Sequence, residues 1–337
     1  MGTPKIEIRL GPEDEYMHPG PEPTFNESMY FNVYDPAERV GGFVRIGNRP
    51  NEGHAEVTTC IYLPDGRVAF MYSRPEISDN EQFSAGGASF EVIEPFESLR
   101  VEYSGKVVVL EDPLEMADPR AAFTSNPYEH ATVSLDYSGA SKPWGGEPQG
   151  VKERSGEEFA KGHYEQLVKA SGTIAVGDLE YTVDGRGLRD HSWGPRTWQA
   201  PWYYRWLTAN VGGEFGFMGS RIARRDADGT RSGFIWDGER IRFVDDVRVS
   251  TTWDDTDHHR ALRLTLRASG IDGGEPLEVG VTGTVRSLIP LRNRRDGMVT
   301  RISEGLTRWE LDDGRVGYGW SEYLDQIIDG RPVGLDE

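Results

Sequence analysis

From about residue 28 to residue 328 apolar and polar residues alternate with period two, and stretches of helical periodicity are nearly absent. Met29, Phe31 and Val33 alternate with Tyr30, Asn32 and Tyr34, and the same pattern runs through residues 57–63, 68–72, 101–110 and 131–137. A chain of this kind can hide its apolar half only by pairing strands, one face of each turned inward. Asp-Gly pairs at 65–66, 184–185, 228–229, 237–238 and 313–314 lie between β-prone segments, where they suit the positive φ angles of tight hairpins. With 41 glycines and 20 prolines working against long helices, the expectation is an all-β chain of antiparallel meanders closed into barrels or folded as sandwiches. One short helix is expected at Ser155 to Ala160, opened by the capping box Ser155-Gly156-Glu157-Glu158. The Gly-, Pro- and Ser-rich stretch from Ser138 to Gly150 reads as an inter-strand excursion or a lid.

At 337 residues the chain exceeds the size at which one core keeps growing, so two β domains are expected, at 20–188 and 189–330. Tyr62-Leu63-Pro64-Asp65-Gly66-Arg67-Val68 is echoed by Leu311-Asp312-Asp313-Gly314-Arg315-Val316, which two domains or one shared hairpin type explain equally. Fifty-six acidic against 37 basic residues give a formal charge of −19, which argues against nucleic acid and anionic membranes as partners. The single Cys60 cannot form an internal disulfide, the N-terminal stretch has no signal-peptide pattern and no apolar run reaches membrane-spanning length, so a cytoplasmic protein is expected.

The densest chemistry lies in Arg189-Asp190-His191-Ser192-Trp193-Gly194-Pro195-Arg196, followed by Trp202-Tyr203-Tyr204-Arg205-Trp206. In a cavity walled by rings, desolvation would raise the Asp190 carboxyl and make it a general acid, with Arg189 or Arg196 opposing that shift; His191 would accept or return the proton. On an extended strand Asp190 and His191 face opposite ways, so only a bend or bulge would let both meet one ligand. A strand-end salt bridge for Asp190, a backbone-bonded His191 and core packing for the tryptophans are the plainer alternatives. Glu27 and Glu322 are further candidate acids, and Tyr30 and Asn32 share a strand face near the first of them. His163 and Glu165 form another same-face pair, and Trp193, Arg196, Trp202, Tyr204, Trp206, Tyr318 and Trp320 are candidate substrate contacts. Asp254-Asp255-Thr256-Asp257-His258-His259 reads as a polar hairpin turn. Metal-site, phosphate-loop, dinucleotide and nucleophile-elbow patterns are missing, so no metal or cofactor is expected.

The Arg-Asp-His-Ser-Trp-Gly-Pro-Arg run, with Tyr181-Thr182-Val183-Asp184-Gly185 before it and the early Asn26-Glu27-Ser28-x-Tyr30 strand, resembles the AttH-like and carotenoid 1,2-hydratase-like superfamily. The resemblance extends from about Phe25 to Tyr323, with its specificity in the central run. It implies two consecutive lipocalin-like, calycin-type antiparallel β-barrels and cofactor-independent work on hydrophobic substrates, and carried over by residue it points to Asp190, His191, Trp193 and Arg196. Roles for Glu27, Glu165 and Glu322 come from the residues alone. The expected activity is hydration or dehydration, isomerisation or cyclisation of a terpenoid, steroid-like or aromatic molecule; the alternative is a non-catalytic carrier or sensor of an apolar ligand. A homodimer through an exposed strand edge is compatible with the pattern.

Overall fold

A computed structural model describes residues 7–149, 159–270 and 275–336. The chain divides into two compact units, Met1–Glu111 with Asn126–Thr197, and Asp112–Ser125 with Trp198–Glu337. Both are built from antiparallel strands.

In the first unit eight strands pair around a ring in the order Gly162–Val176, Leu179–Pro195, Phe25–Asp35, Val40–Arg49, His54–Tyr62, Val68–Ser73, Ser98–Leu110 and Tyr128–Gly139, the last returning to the first. The seam between Val68–Ser73 and Ser98–Leu110 is narrow, three residue pairs from Val68 opposite Leu110 to Phe70 opposite Val108, and the ring is a near-barrel. Met29, Phe31 and Val33 point inward with Ile46, Val57, Leu99, Val101, Leu135 and Val168, as the alternation requires. Each such side chain contributes roughly 1.5–3 kcal/mol on burial. A one-residue slip would turn the whole set outward, so the pattern fixes the register.

In the second unit Tyr203–Val211, Phe215–Arg224, Ala227–Trp236, Ile241–Trp253, His259–Ala268, Leu277–Arg295, Met298–Leu311 and Val316–Ile328 follow one another as a meander, and the last pairs with the first to close an eight-stranded barrel. Leu207, Phe217, Val247, Leu264, Leu266 and Trp309 fill it. Residues 112–125 leave the first unit between two of its strands and pack on Leu277–Arg295, carrying the α-helix Pro119–Ser125.

The changeover between units falls at Thr197 and Trp198, and the Arg189–Pro195 stretch, expected to open the second domain, belongs to the first unit's sheet. It continues a 17-residue strand that pairs on both sides, with Gly162–Val176 and with Phe25–Asp35, so it cannot leave that sheet without breaking two ladders. The expected helix at Ser155 to Ala160 falls largely outside the described residues. Part of the expected 138–150 excursion is instead the strand Trp144–Pro148, paired with Gly162–Val176.

Asp-Gly marks tight turns at Gly66, Gly238 and Gly314, with φ of 97°, 96° and 87°. The other two expected turns are interior strand positions. A Cβ on Gly185 would lie 2.7 Å from the Val33 side chain and one on Gly229 would lie 2.3 Å from the Ile222 carbonyl, so close strand approach explains these glycines. The internal echo is a shared turn: Leu63 N–H donates to Arg67 O and Gly66 N–H to Leu63 O, as Leu311 does to Arg315 and Gly314 to Leu311.

The 254–259 stretch is the turn expected, tied by Asp254, whose Oδ1 accepts the backbone N–H groups of Thr256 and His258. Burial, with the nearby Arg301 and Arg260 guanidiniums, pushes the His258 imidazole down to about 4, while the Asp254 and Asp257 carboxylates oppose the shift. The unfolded chain therefore binds more protons between about pH 6.5 and 4, and stability falls as pH drops through that window by about 3 kcal/mol from this group. Chemical unfolding at a series of pH values is expected to show a pH slope smaller by up to about one proton in His258→Gln. An unchanged slope would remove His258 as its source.

Candidate functional site

The strand Leu179–Pro195 runs through the 189–195 region without a bulge on the Gly162–Val176 side, so its side chains alternate strictly between two faces. Arg189, His191 and Trp193 face into the first ring; Asp190 and Ser192 face out. Two separate constellations result.

On the inner face His191 lies opposite Tyr164 on one neighbouring strand and Met29 on the other, and Trp193 lies opposite Glu27. The 3-10 turn Pro12–Glu15 and the residues after it bring Asp14, Glu15 and His18 onto this end of the ring. A chain of polar contacts results. His18 Nε2 lies 3.3 Å from Asp14 Oδ1 and its Nδ1 2.9 Å from Glu27 Oε1. His191 Nε2 donates to the same Glu27 oxygen at 2.8 Å, and His191 Nδ1 lies 3.2 Å from Tyr164 Oη. Tyr164 donates to Glu15 Oε2 at 2.7 Å, and Arg189 Nη1 reaches that oxygen at 2.8 Å. Trp193 is buried with His18 stacked on it, ring centroids 3.9 Å apart.

Asp14, Glu15, Glu27, Tyr164, Arg189 and His191 are all 0–1 % exposed, and only His18, at 14 %, meets water. Burial works against the charged form of Glu27, yet hydrogen bonds from His18 and His191 outweigh it and hold the carboxyl below its usual range. Burial likewise opposes the His18 imidazolium, but Glu27 and Asp14 raise its pKa above the usual value. Such a sealed assembly can hold protons or a cation; its one edge toward water is His18.

The outer face of the same strands carries the second constellation. Glu165, Asp190 and Tyr30 lie side by side across three strands, and His163, Ser192 and Ser28 form the next row. His163 Nε2 hydrogen-bonds Asp190 Oδ2 and lies 3.3 Å from Glu165 Oε1, so two carboxylates converge on one ring nitrogen. Among the described residues Nδ1 makes no hydrogen bond. The His163 side chain is 38 % exposed and that of Asp190 20 %, whereas Glu165 is buried. Burial disfavours the imidazolium, but Asp190 and Glu165 outweigh it and raise the His163 pKa. For Asp190, burial acts upward and is outweighed by His163, so its carboxyl sits below the usual range, opposite to the elevated acid the sequence suggested. Its partner is the His163 imidazole across the strand pair, which sequence spacing alone does not show. Arg196 Nη2 donates to Ser192 Oγ at 2.8 Å, and its guanidinium lies over the Phe159 ring at 4.6 Å.

Tyr30 stacks on Phe43, with centroids 5.5 Å apart. Asn32 Oδ1 accepts the Leu188 backbone N–H at 2.8 Å, so its amide bridges two strands.

The other expected site residues lie in the second unit. Tyr204, Trp206, Tyr318, Trp320 and Glu322 share one face, because Trp206 lies opposite Glu322 and Asn210 opposite Tyr318. That face is the one turned away from the Leu207, Ala209 and Tyr323 core, and there Tyr204 Oη donates to Glu322. Trp202 stands just before the strand, under the Arg225 guanidinium at 4.5 Å. Sequence reasoning brought forward His163, Glu165, Glu27 and His191 but passed over Asp14, Glu15, His18, Tyr164 and Asn80; no periodicity or motif marks these.

A family model described as a domain of unknown function, DUF7064, matches residues 11–327. The chain belongs to that family. The matched stretch includes the turn that carries Asp14, Glu15 and His18. No curated protein matches the chain in sequence. Among solved structures, an AttH protein from Nitrosomonas europaea is similar at 12% identity over 94% of this chain and 97% of that one, with a TM-score of 0.55. CghA is similar at 13% identity over 92% and 90%, TM-score 0.54, and has also been solved with Sch210972. Kievitone hydratase from Nectria haematococca is similar at 10% identity over 89% and 88%, TM-score 0.56. At these identities the likeness is one of fold, and the AttH-like architecture indicated by the Arg189–Arg196 run is the fold this DUF7064 member has. No helix among the described residues is long and apolar enough to cross a membrane.

Proposed function

We propose that the protein is an enzyme that moves a proton to and from a small, largely apolar molecule at His163, with the side chains alone supplying the reaction chemistry. The observation that carries this reading is the setting of the imidazole: two carboxylates, Asp190 and Glu165, converge on Nε2 while the partly exposed ring keeps Nδ1 without a hydrogen-bond partner among the described residues. An imidazolium held in this way presents Nδ1–H to an alkene carbon, a hydroxyl leaving group or a carbonyl, and takes the proton back afterwards. Asp190 and Glu165 orient the ring and balance its charge, as a carboxylate behind a catalytic histidine does. On the same face Tyr30 stacks on Phe43, and both rings are buried, so they form a fixed apolar backing beside the cluster. Hydration or dehydration, isomerisation and cyclisation of an unsaturated terpenoid, steroid-like or phenolic molecule all fit this proton traffic. The fold shared with kievitone hydratase, and the CghA structure with Sch210972, support a small-molecule reaction on this scaffold.

Incubation with a panel of terpenoids, sterols and phenolic aromatics, followed by extraction and mass analysis, is expected to return a product altered by one water or a rearranged isomer. His163→Gln is expected to remain folded and lose at least ~100-fold in turnover, the lower end for a missing general acid. Because the folded pKa of His163 is raised, activity is present at lower pH and lost as pH rises through a value above 6.5. Full turnover in a folded His163→Gln protein would remove His163 from the reaction, and saturable binding with quantitative recovery of unchanged ligand would make the protein a carrier.

A further inference from the structure

We propose that His18, Glu27 and His191 form a structural site for one divalent transition cation, zinc by preference, which pins the N-terminal segment into the first ring. The three residues come from the N-terminal segment and the strands Phe25–Asp35 and Leu179–Pro195, and one ligand atom of each lies within 4.8 Å of the others. Both imidazole nitrogens aim at a single oxygen, Glu27 Oε1, at 2.9 and 2.8 Å. Zinc bonds of about 2.0–2.2 Å put tetrahedral ligand atoms about 3.3 Å apart, so an ion would need these contacts to open by only about half an ångström.

The outward atoms of all three residues are already held in the way metal ligands are held. His18 Nε2 faces Asp14 Oδ1 at 3.3 Å, which leaves Nδ1 for the ion. His191 Nδ1 faces Tyr164 Oη at 3.2 Å, which leaves Nε2. Glu27 Oε2 accepts the His18 backbone N–H at 2.8 Å and the Asn80 amide at 3.1 Å, which leaves Oε1. Each residue therefore offers one atom inward and has the other fixed. Charge points the same way. Three buried carboxylates, Asp14, Glu15 and Glu27, stand against one buried guanidinium, Arg189, and the surface Arg9, whose Nη2 is 3.6 Å from Asp14. A dication would offset the remainder without protons on the imidazoles. Two histidines and a carboxylate are a zinc donor set that leaves a fourth position for water, and the burial of Glu27 and His191 suits an ion whose role is to hold these chain segments together.

The test is titration of zinc into chelator-treated full-length protein by calorimetry, with thermal unfolding alongside. One equivalent is expected to bind with a Kd of about 1 μM or tighter and to raise the unfolding temperature by several degrees at excess metal. Cobalt in its place is expected to give the visible absorption of a nitrogen- and oxygen-ligated ion. His18→Asn is the informative ligand variant because it lies at the edge of the core and leaves both strands intact; affinity is expected to fall at least ~100-fold. Asp14→Asn, which removes only the carboxylate behind His18, is expected to cost about 10-fold. His163→Gln, at the separate outer cluster, is expected to leave the affinity unchanged. A folded wild-type protein that binds no zinc overturns the proposal. So does undiminished affinity in His18→Asn, or loss of binding in His163→Gln.

Discussion

Arg189→Met is expected to destabilise the first unit by about 3–5 kcal/mol, because it strands the Glu15 carboxylate in the interior without its counter-charge. Arg189 is fully buried and uses its whole fork: Nε donates to Gln166 Oε1 at 2.9 Å, Nη1 and Nη2 grip the two oxygens of Glu15, and the guanidinium lies 5.2 Å from the centre of the Tyr164 ring. Burial alone would raise the Glu15 carboxyl; Arg189, Tyr164 and the Phe96 N–H reverse this and lower it. That depressed pKa contributes stability above the unfolded value near 4.5, and the contribution is lost as pH falls through the folded pKa. Glu15→Gln in the Arg189→Met background is expected to recover part of the loss, since glutamine removes the stranded charge yet still accepts the Phe96 N–H, now bonded to Glu15 Oε1 at 2.6 Å. Denaturant unfolding of wild type, both single variants and the double variant measures this. Arg189→Met within about 1 kcal/mol of wild type would mean that water or a neighbouring cation takes over the Glu15 charge.

Arg205→Leu is expected to cost the second unit a similar 3–5 kcal/mol, for the same electrostatic reason in a different cage. Arg205 Nη1 and Nη2 lie 3.0 and 3.2 Å from the two Asp325 oxygens, and the guanidinium also donates to the Tyr204, Leu324 and Gly334 carbonyls. Its face packs on Tyr323, 4.2 Å from the ring centre, so packing is lost with the charge. Lysine cannot replace it: a single ammonium does not span both Asp325 oxygens and three carbonyls, and Arg205→Lys is expected to recover less than half of the loss. Arg205 also helps, after burial, to keep the pKa of the nearby His259 well below its usual value, so that imidazole should titrate at higher pH in Arg205→Leu. NMR of the ring protons against pH would show it, and an unshifted His259 would place the effect on burial alone.

Much of the fold was legible because strand alternation is a local signal. Met29, Phe31 and Val33 face the core as their spacing required, and so do Leu207, Ala209 and Val211 in the second unit. The opposition of Asp190 and His191 was legible for the same reason, since an unbulged strand sends neighbours to opposite faces. The Asp-Gly pairs read correctly only where a hairpin closes; at Gly185 and Gly229 the same residue serves close strand contact, and single-strand sequence does not separate the two uses.

The site was legible in part. His163 and Glu165 share a face as their spacing indicates, but that Asp190 completes the group depends on the pairing of Gly162–Val176 with Leu179–Pro195. The same pairing changes the expected chemistry, because a carboxyl beside His163 is held ionised whereas a carboxyl among rings would be held neutral. Asp14, Glu15 and His18 carried no signal in an N-terminal segment that shows neither strand alternation nor a motif. Their role comes from where the segment is laid.

By itself the sequence determined that this chain is all-β, that neighbouring residues of a strand face opposite ways and that its densest chemistry lies between Arg189 and Arg196, because period and composition act over a few residues. Only the tertiary structure decided which strands lie side by side, and therefore that Glu27 meets His191 and His18 while His163 meets Asp190. Those contacts span up to 164 residues of chain, and their energies depend on burial and cross-strand distance, which exist only once the rings have closed.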